Sequence, residues 1–366
     1  MLREDIVHLN DKERIIQPLI YRQIYADENP LTYLSHIASQ NKCERVSWLI
    51  DADQHVRFHL SYSQVVAMLR LSLWNENSID SETEKLFSLP SVFLDKSYIK
   101  FCPSCLREEP YYRMCWQLKT SLICLKHYEY LQESCPACLQ FITFDVRENG
   151  ICDCGFNLLK SPSINANKSS MNLQYFIDNM ENENLFMFPR GHISSLTLEQ
   201  RIQFILKLDR WELSHLRAQG ILKKNKNTSI NSLKIIAETF FSTEEKFSHF
   251  LLELKNRPYI AQKISYFVVF YRSFFTDFSA SAFKIYRKWI EEFILKHLDI
   301  SITHRNTLFS RSTIAKYPWI TMKAASKKTG IPISGLRRAI IDKRLVMTEL
   351  EKEKRIYKLG SVEHLK

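Results

Sequence analysis

The chain has 366 residues, 45% of them hydrophobic, with only 7 glycines and a formal net charge of +11. That length allows two or three domains, and so few glycines, with no G-x-x-x-x-G-K-S/T and no G-x-G-x-x-G, exclude the usual nucleotide-binding loops. The charge favours a polyanionic partner, nucleic acid first. No apolar run approaches the ~20 residues of a membrane helix, and the N-terminal MLREDIVHLNDK has no signal-peptide core, so the chain reads as soluble and cytoplasmic.

The first element is predicted in DENPLTYLSHIASQN. Asp27, Glu28 and Asn29 are helix-start residues and Pro30 fits a first helical turn. Leu31, Leu34, Ile37 and Ala38 then recur at helical spacing. A second helix is predicted over Ser63 to Trp74, with Val65, Val66, Leu69 and Leu73 as its stripe and Ser61 or Ser63 as its cap. His55 and His59 have no partner ligand nearby in sequence and read as ordinary surface or core histidines.

Residues 101–158 carry the densest signal. Cys102-x-x-Cys105 is followed by Cys124-x-x-His127, and Cys135-x-x-Cys138 by Cys152-x-Cys154. Seven cysteines and one histidine make two four-donor sets, which is what two structural zinc ions take in tetrahedral coordination. A C-x-x-C turn aims two thiolates at one ion while backbone N–H groups stabilise their charge. Sequential pairing puts Cys102, Cys105, Cys124 and His127 on one ion and Cys135, Cys138, Cys152 and Cys154 on the other. An interleaved pairing satisfies the spacing as well, and Cys115 is an alternative donor; Cys43 and Cys115 are the two cysteines left over. Tyr111, Tyr112 and Trp116 are expected to cover the first site, because a small module has little core of its own. Complete thiolate-rich sets, with no H-E-x-x-H and no deaminase pattern, argue for structural rather than catalytic metal.

Lys160 to Ser170 is polar and reads as a linker. Helices follow. Ser195 to Ala218 has Leu198, Ile202, Ile205, Leu208, Leu213 and Leu216 in register, with Gly220 as its stop. Residues 223–228 form a basic loop, and Ile230 to Leu254 holds one or two helices, with S-T-E-E at Ser242 to Glu245 as an internal start. An aromatic-rich helical pair is predicted over Pro258 to Phe275 and Ser279 to His297. Its Phe and Tyr are not interleaved with basic residues, so they read as core.

At the C-terminus, Thr321 to Gly330 reads as a short helix, Ile331-Pro332 as a tight turn, and Ser334 as the cap of a second helix with Leu336, Ala339 and Ile340 inward. This is helix-turn-helix spacing. Gly335, Arg337, Arg338, Lys343 and Arg344 lie on its outer side. From Arg311 to Lys366 fourteen Lys and Arg stand against five Asp and Glu, a net of +9, so most of the excess charge sits in the tail. Ser334, Arg337, Arg338, Lys343 and Arg344 are the candidate nucleic-acid contacts, and Leu345 to Leu359 is a candidate two-stranded wing. The expected architecture is mainly α. Its parts are an N-terminal helical segment (1–98), a double zinc-binding module (99–160), a helical domain (171–300) and a helix-turn-helix (315–366).

The run Cys102-Pro103-x-Cys105, Trp116, Cys124-x-x-His127, Leu131, Cys135-Pro136-x-Cys138 resembles the TniQ/TnsD family of transposon target-selection proteins. D-E-N-P-L-x-x-Y-L-x-x-I-A is similar to that family's opening, with Asn29-Pro30 and His36 departing from it. Together the matching stretches cover about the first 160 residues. The resemblance implies a non-enzymatic subunit that recruits an AAA+ regulator of the TnsC kind, while DNA cutting and joining belong to a separate transposase. It implies two modes of targeting: placement on an RNA-guided Cascade complex, often as a homodimer, or direct binding of attachment-site DNA. A zinc-containing transcription regulator is the competing binding role.

Overall fold

The computed structural model describes residues 7–9, 13–15, 22–43, 50–51, 80–95, 97–144, 150–180, 195–218, 230–256, 270, 273–274, 276–297, 319–345, 347–350 and 354–358. The expected helix at 63–74, the basic loop at 223–228 and nearly all of the expected helix at 258–275 lie outside these residues, as do His55 and His59. The described chain is mainly helical and divides into two compact units, Met1–Leu185 with Leu196–Phe241, and Phe186–Ser195 with Ser242–Lys366.

In the first unit a small antiparallel sheet, β1 (Val7–Leu9), β2 (Glu13–Ile15) and β3 (Ile50–Asp51), is ordered β1-β2-β3. Helix α1 is Pro30–Gln40, and it starts where the sequence places it. Asn29 is the N-cap, its Oδ1 accepting from the Leu31 and Thr32 N–H groups at 2.9 and 3.4 Å, with Pro30 in the first turn. Tyr33, Leu34, Ile37 and Ala38 form its buried stripe. Next come α2 (Ser81–Phe87), capped by Asp80, and α3 (Pro103–Glu108), then a 3-10 turn at Met114–Gln117 and the hairpin β4 (Ile123–Cys124)–β5 (Glu129–Tyr130).

The polar stretch 160–170 is not a free linker. The Tyr130 N–H donates to Ile164 O and the Ala166 N–H to Tyr128 O, both at 2.8 Å, and Asn165 bridges Glu129. The segment thus lies along the free edge of the hairpin. Its bonds to the hairpin strand run through the backbone, and Arg107 also donates to Ser161 O at 3.2 Å and Ser163 Oγ at 2.7 Å. It leads into α4 (Lys168–Ile177), whose Gln174 Oε1 accepts from the Leu122 and Ile123 N–H groups at 2.9 and 3.3 Å.

Helices α5 (Leu198–Ala218) and α6 (Ile230–Phe240) complete the unit. Phe176 of α4 meets Phe204 edge-on at 5.8 Å and Phe241 at 5.3 Å, in a core with Ile202, Ile205, Leu208, Leu233 and Ile236. Buried Arg201 donates to Ile177 O at 2.9 Å and Leu196 O at 2.6 Å, which places a cation on the carbonyl end of α4.

The second unit contains α7 (Glu244–Asn256), where Thr243 Oγ1 accepts from the Lys246 N–H at 3.3 Å as the S-T-E-E pattern requires, and α8 (Lys284–His297). Phe247, Phe250, Phe270, Phe274, Phe278, Phe283 and Tyr286 are all buried there, in contact through tilted and edge-on rings. These aromatics are core, as their lack of basic neighbours indicates.

The C-terminal part of this unit is a helix, a turn and a helix. α9 spans Met322–Thr329 and α10 spans Ile333–Ile341, beside an antiparallel sheet of β6 (Trp319–Thr321), β7 (Met347–Leu350) and β8 (Lys354–Lys358) in the order β6-β8-β7. The two expected strands are joined by a third, β6. Gly330, at φ 73°, ends α9 in the left-handed conformation that only glycine adopts without strain. Ala325, Leu336, Ala339 and Leu345 form a small core. Ser334 is not the cap: the cap position lies two residues earlier, at Pro332, with no side-chain cap bond, and Ser334 sits in the first turn of α10. Proline's fixed φ sets the helix entry without a capping side chain.

Candidate metal centres

The eight residues singled out by spacing come together as two groups, Cys102–Cys105–Cys124–His127 and Cys135–Cys138–Cys152–Cys154, the donor atoms of each lying within 4.8 Å of one another. The grouping is sequential, not interleaved. Cys43 and Cys115 belong to neither. Cys115 instead lines a cavity of about 410 Å³ with Asp27, Asp80 and Asp178, and burial pushes its thiol well above the ordinary range.

Distances test whether a metal fits. A tetrahedral zinc with ~2.3 Å Zn–S bonds sets its sulfurs about 3.8 Å apart, and sulfur to imidazole nitrogen about 3.5 Å. Cys105 and Cys124 Sγ are 3.5 Å apart, Cys135 and Cys154 3.7 Å, and Cys138 and Cys152 3.7 Å. His127 Nδ1 lies 3.6, 3.2 and 3.7 Å from the sulfurs of Cys102, Cys105 and Cys124. Disulfide sulfurs would stand ~2.05 Å apart, and all nine cysteines are free. Both sets are the right size for a tetrahedral ion and are thiolate-rich, which suits zinc among the common metals.

Local folding places these donors. Cys102 is the N-cap of α3, and its Sγ accepts from the Cys105 N–H at 3.5 Å. Cys124 ends β4, and the turn to β5 holds His127 and then Tyr128, which takes a positive φ of 55°. Hydrogen bonds from Cys102 and Cys105 and from the His127 backbone hold the Cys124 thiol far down, at about 2. In the second set, burial pushes Cys135 up, but hydrogen bonds from the Cys138 and Ala137 backbone N–H groups and from the Cys152 and Cys138 thiols together bring it down to about 7. The turn's amides therefore favour thiolate.

Two carboxylates surround the first set, and neither has a local sequence signal. His127 Nε2 bonds Glu108 Oε1 at 2.9 Å, which leaves Nδ1 as the donor toward the sulfurs. Glu108 also pairs with Lys126 at 2.5 Å. Glu129 accepts from Ser104 Oγ at 2.7 and 2.9 Å and lies 3.6 Å from the Cys102 sulfur. Glu108 is nineteen residues from His127, so only the fold brings them together.

The D-E-N run is the clamp that seats α1 on this centre. Asp27 pairs with Arg113 and accepts from Tyr111 OH at 2.7 Å. Glu28, fully buried, is held by Arg22 and by the Tyr25 N–H. Asn29 donates from Nδ2 to Gln117 Oε1 at 2.7 Å and from its N–H to Tyr112 O at 2.7 Å. Tyr112 and Trp116 are buried and Tyr111 stacks on Tyr25 at 4.1 Å, so these aromatics do cover the region. Beneath them, fully buried Lys100 pairs with Asp95 at 3.3 Å and donates to Leu118 O at 2.6 Å.

The other residues expected in a site lie in the second unit. Arg337, Arg338, Lys343 and Arg344 are exposed on and just after α10, as is Ser334 in its first turn. Lys343 takes a left-handed φ of 55°, and Arg344 pairs with Asp342 at 2.9 Å.

No curated protein matches the chain. Residues 26–131 match the TniQ family, a span that runs from the D-E-N clamp through α1 and the whole first cysteine set to the end of the β4–β5 hairpin. The clamp and the first metal centre are thus one piece of structure in the fold and one piece in the match, and the chain carries a TniQ domain over residues 26–131.

Proposed function

We propose that this protein is a non-enzymatic target-selection adaptor of a DNA transposon. It links a target-recognition complex of the RNA-guided Cascade kind to an AAA+ regulator of the TnsC kind. The TniQ domain carries this reading. The chemistry of its centres agrees: each set supplies four protein donors, which fills a tetrahedral zinc and leaves no position for water or substrate. Both ions are then structural, and the first holds α3, the hairpin and the D-E-N clamp in one rigid body on which partners dock.

The test is co-purification with the products of neighbouring transposition genes. Recovery of the regulator together with guide-complex subunits supports the reading. Metal-dependent DNA cleavage by this chain alone contradicts it.

A second reading, direct binding of attachment-site DNA, is favoured by the α9–α10 surface. Lys323, Lys327, Lys328, Arg337, Arg338, Lys343 and Arg344 are exposed there against Asp342 alone. In this reading α10 lies in the major groove, and phosphate contacts make binding fall steeply with salt. Duplex binding without any guide complex, weakened when Arg337 and Arg338 are both replaced by alanine, separates the two.

A further inference from the structure

Helix α10 buries Leu336 and Ala339. At 100° per residue the opposite face is centred on Ser334 and Ile341, with Arg337 and Arg338 on either side of that line. Ile341 is 79% exposed, the most exposed of the large hydrophobic residues described. It sits in the middle of a basic face, one turn beyond the arginine pair. Among the described residues no carboxylate pairs with either arginine. A solvated helix face calls for a polar residue at that position, so an isoleucine there points to an occupant that offers apolar surface and negative charge together.

The major groove of duplex DNA offers both. Arginine meets the O6 and N7 acceptors of guanine, and an aliphatic side chain meets the 5-methyl of thymine. The seven residue steps from Ser334 to Ile341 rise roughly 10 Å, which is about three base-pair steps at ~3.4 Å each. The exposed stripe is therefore long enough to read a short run of adjacent pairs. The net positive surface of α9 and α10 disfavours a basic or neutral protein as the occupant.

We infer that Ile341 selects thymine through its 5-methyl group, next to guanine read by the Arg337–Arg338 pair, so that the exposed face of α10 reads base sequence as well as phosphate. This rests on the direct-DNA reading above and deepens it. Arg337 and Arg338 supply affinity and guanine preference, and Ile341 supplies thymine preference with little effect on salt dependence.

The experiment uses the full chain with a pool of randomised duplexes, followed by affinities for the enriched site with each thymine replaced by uracil. Burying one methyl is worth ~0.8 kcal/mol, or about fourfold in affinity. We expect one uracil replacement beside a guanine to weaken wild-type binding about fourfold. Ile341→Ala should show the weaker affinity for both duplexes, and Ile341→Val should keep the discrimination. Ile341 is exposed, so these variants fold. Enrichment of a site indifferent to uracil, or an equal uracil effect in Ile341→Ala, overturns the role of Ile341 and leaves DNA reading intact. Salt-dependent binding with no enriched sequence overturns base readout alone. Absence of duplex binding removes both readings, and self-association lost in Ile341→Ala would assign the face to a second copy of the chain.

Discussion

Single side chains do two kinds of work in the TniQ domain: they orient metal donors and they neutralise what the fold buries. Glu108 is the orienting case. Its bond to His127 Nε2 sets the ring so that Nδ1 faces the sulfurs. Such supporting groups contribute roughly tenfold or more to metal affinity. Glu108→Ala should therefore weaken one zinc of two by about tenfold in competition with a chelator and leave the other unchanged; equal weakening of both would refute the assignment. Asp95 is the neutralising case. It faces the Lys100 ammonium in an interior where burial pulls the lysine's pKa down, against Asp95, which raises it. Removing one partner of a buried pair costs about 3–5 kcal/mol, because the other is left uncompensated. Asp95→Ala should lower the unfolding free energy, read from denaturant melts, by that amount, whereas Asp95→Ala with Lys100→Met should recover much of it.

Between elements, the two centres differ in burial. Cys102, Cys105 and Cys124 are buried among the β4–β5 hairpin, α3 and the aromatic cover, whereas Cys154 is exposed and Cys138 half-buried. Losing the first centre should loosen the whole 26–131 body, and losing the second should loosen only its own turns. Cys124→Ser should abolish the cooperative unfolding transition of the domain while Cys154→Ser lowers metal content with the transition retained; the reverse order would contradict this picture. A pH effect belongs to α4. Asp178, at its C-cap, has its carboxyl pushed up to about 6 by burial. The folded state thus holds the proton more tightly than the unfolded chain, so ionising Asp178 opposes folding. The stability advantage of Asp178→Asn should be small near pH 4, grow between pH 4 and 6 and stay level above, as read from paired melting curves; an advantage that shrinks with rising pH would contradict the sign.

The same elements show what the chain betrays before it folds. Metal donors are legible because thiolate chemistry demands fixed types at short spacing. α1 is legible because Asn29-Pro30 combines a cap with a first-turn proline. The edge segment 161–166 was hidden, since its bonds to Tyr128 and Tyr130 run through the backbone and leave no side-chain pattern. Ser334 misled as a cap because Pro332 sets the start of α10 without one. Glu108 and the Asp27–Arg113 pair depend on contacts nineteen and eighty-six residues apart, which no local pattern encodes.

On the scale of the molecule, the two units divide the labour. One carries the TniQ domain, its two candidate metal centres and the helices α4 to α6 packed behind them. The other carries an aromatic helical core and a basic helix pair. This division agrees with the proposed adaptor role, in which the chain holds a regulator and a target together. Among the described residues no helix is long and apolar enough to cross a membrane. The most direct test of the account is to load the AAA+ regulator onto target DNA, with its nucleotide, in the presence and absence of the full zinc-loaded chain. The account predicts stable loading at the target only when the chain is present, lost on chelation of its zinc. Loading that is equally efficient without the chain would contradict it.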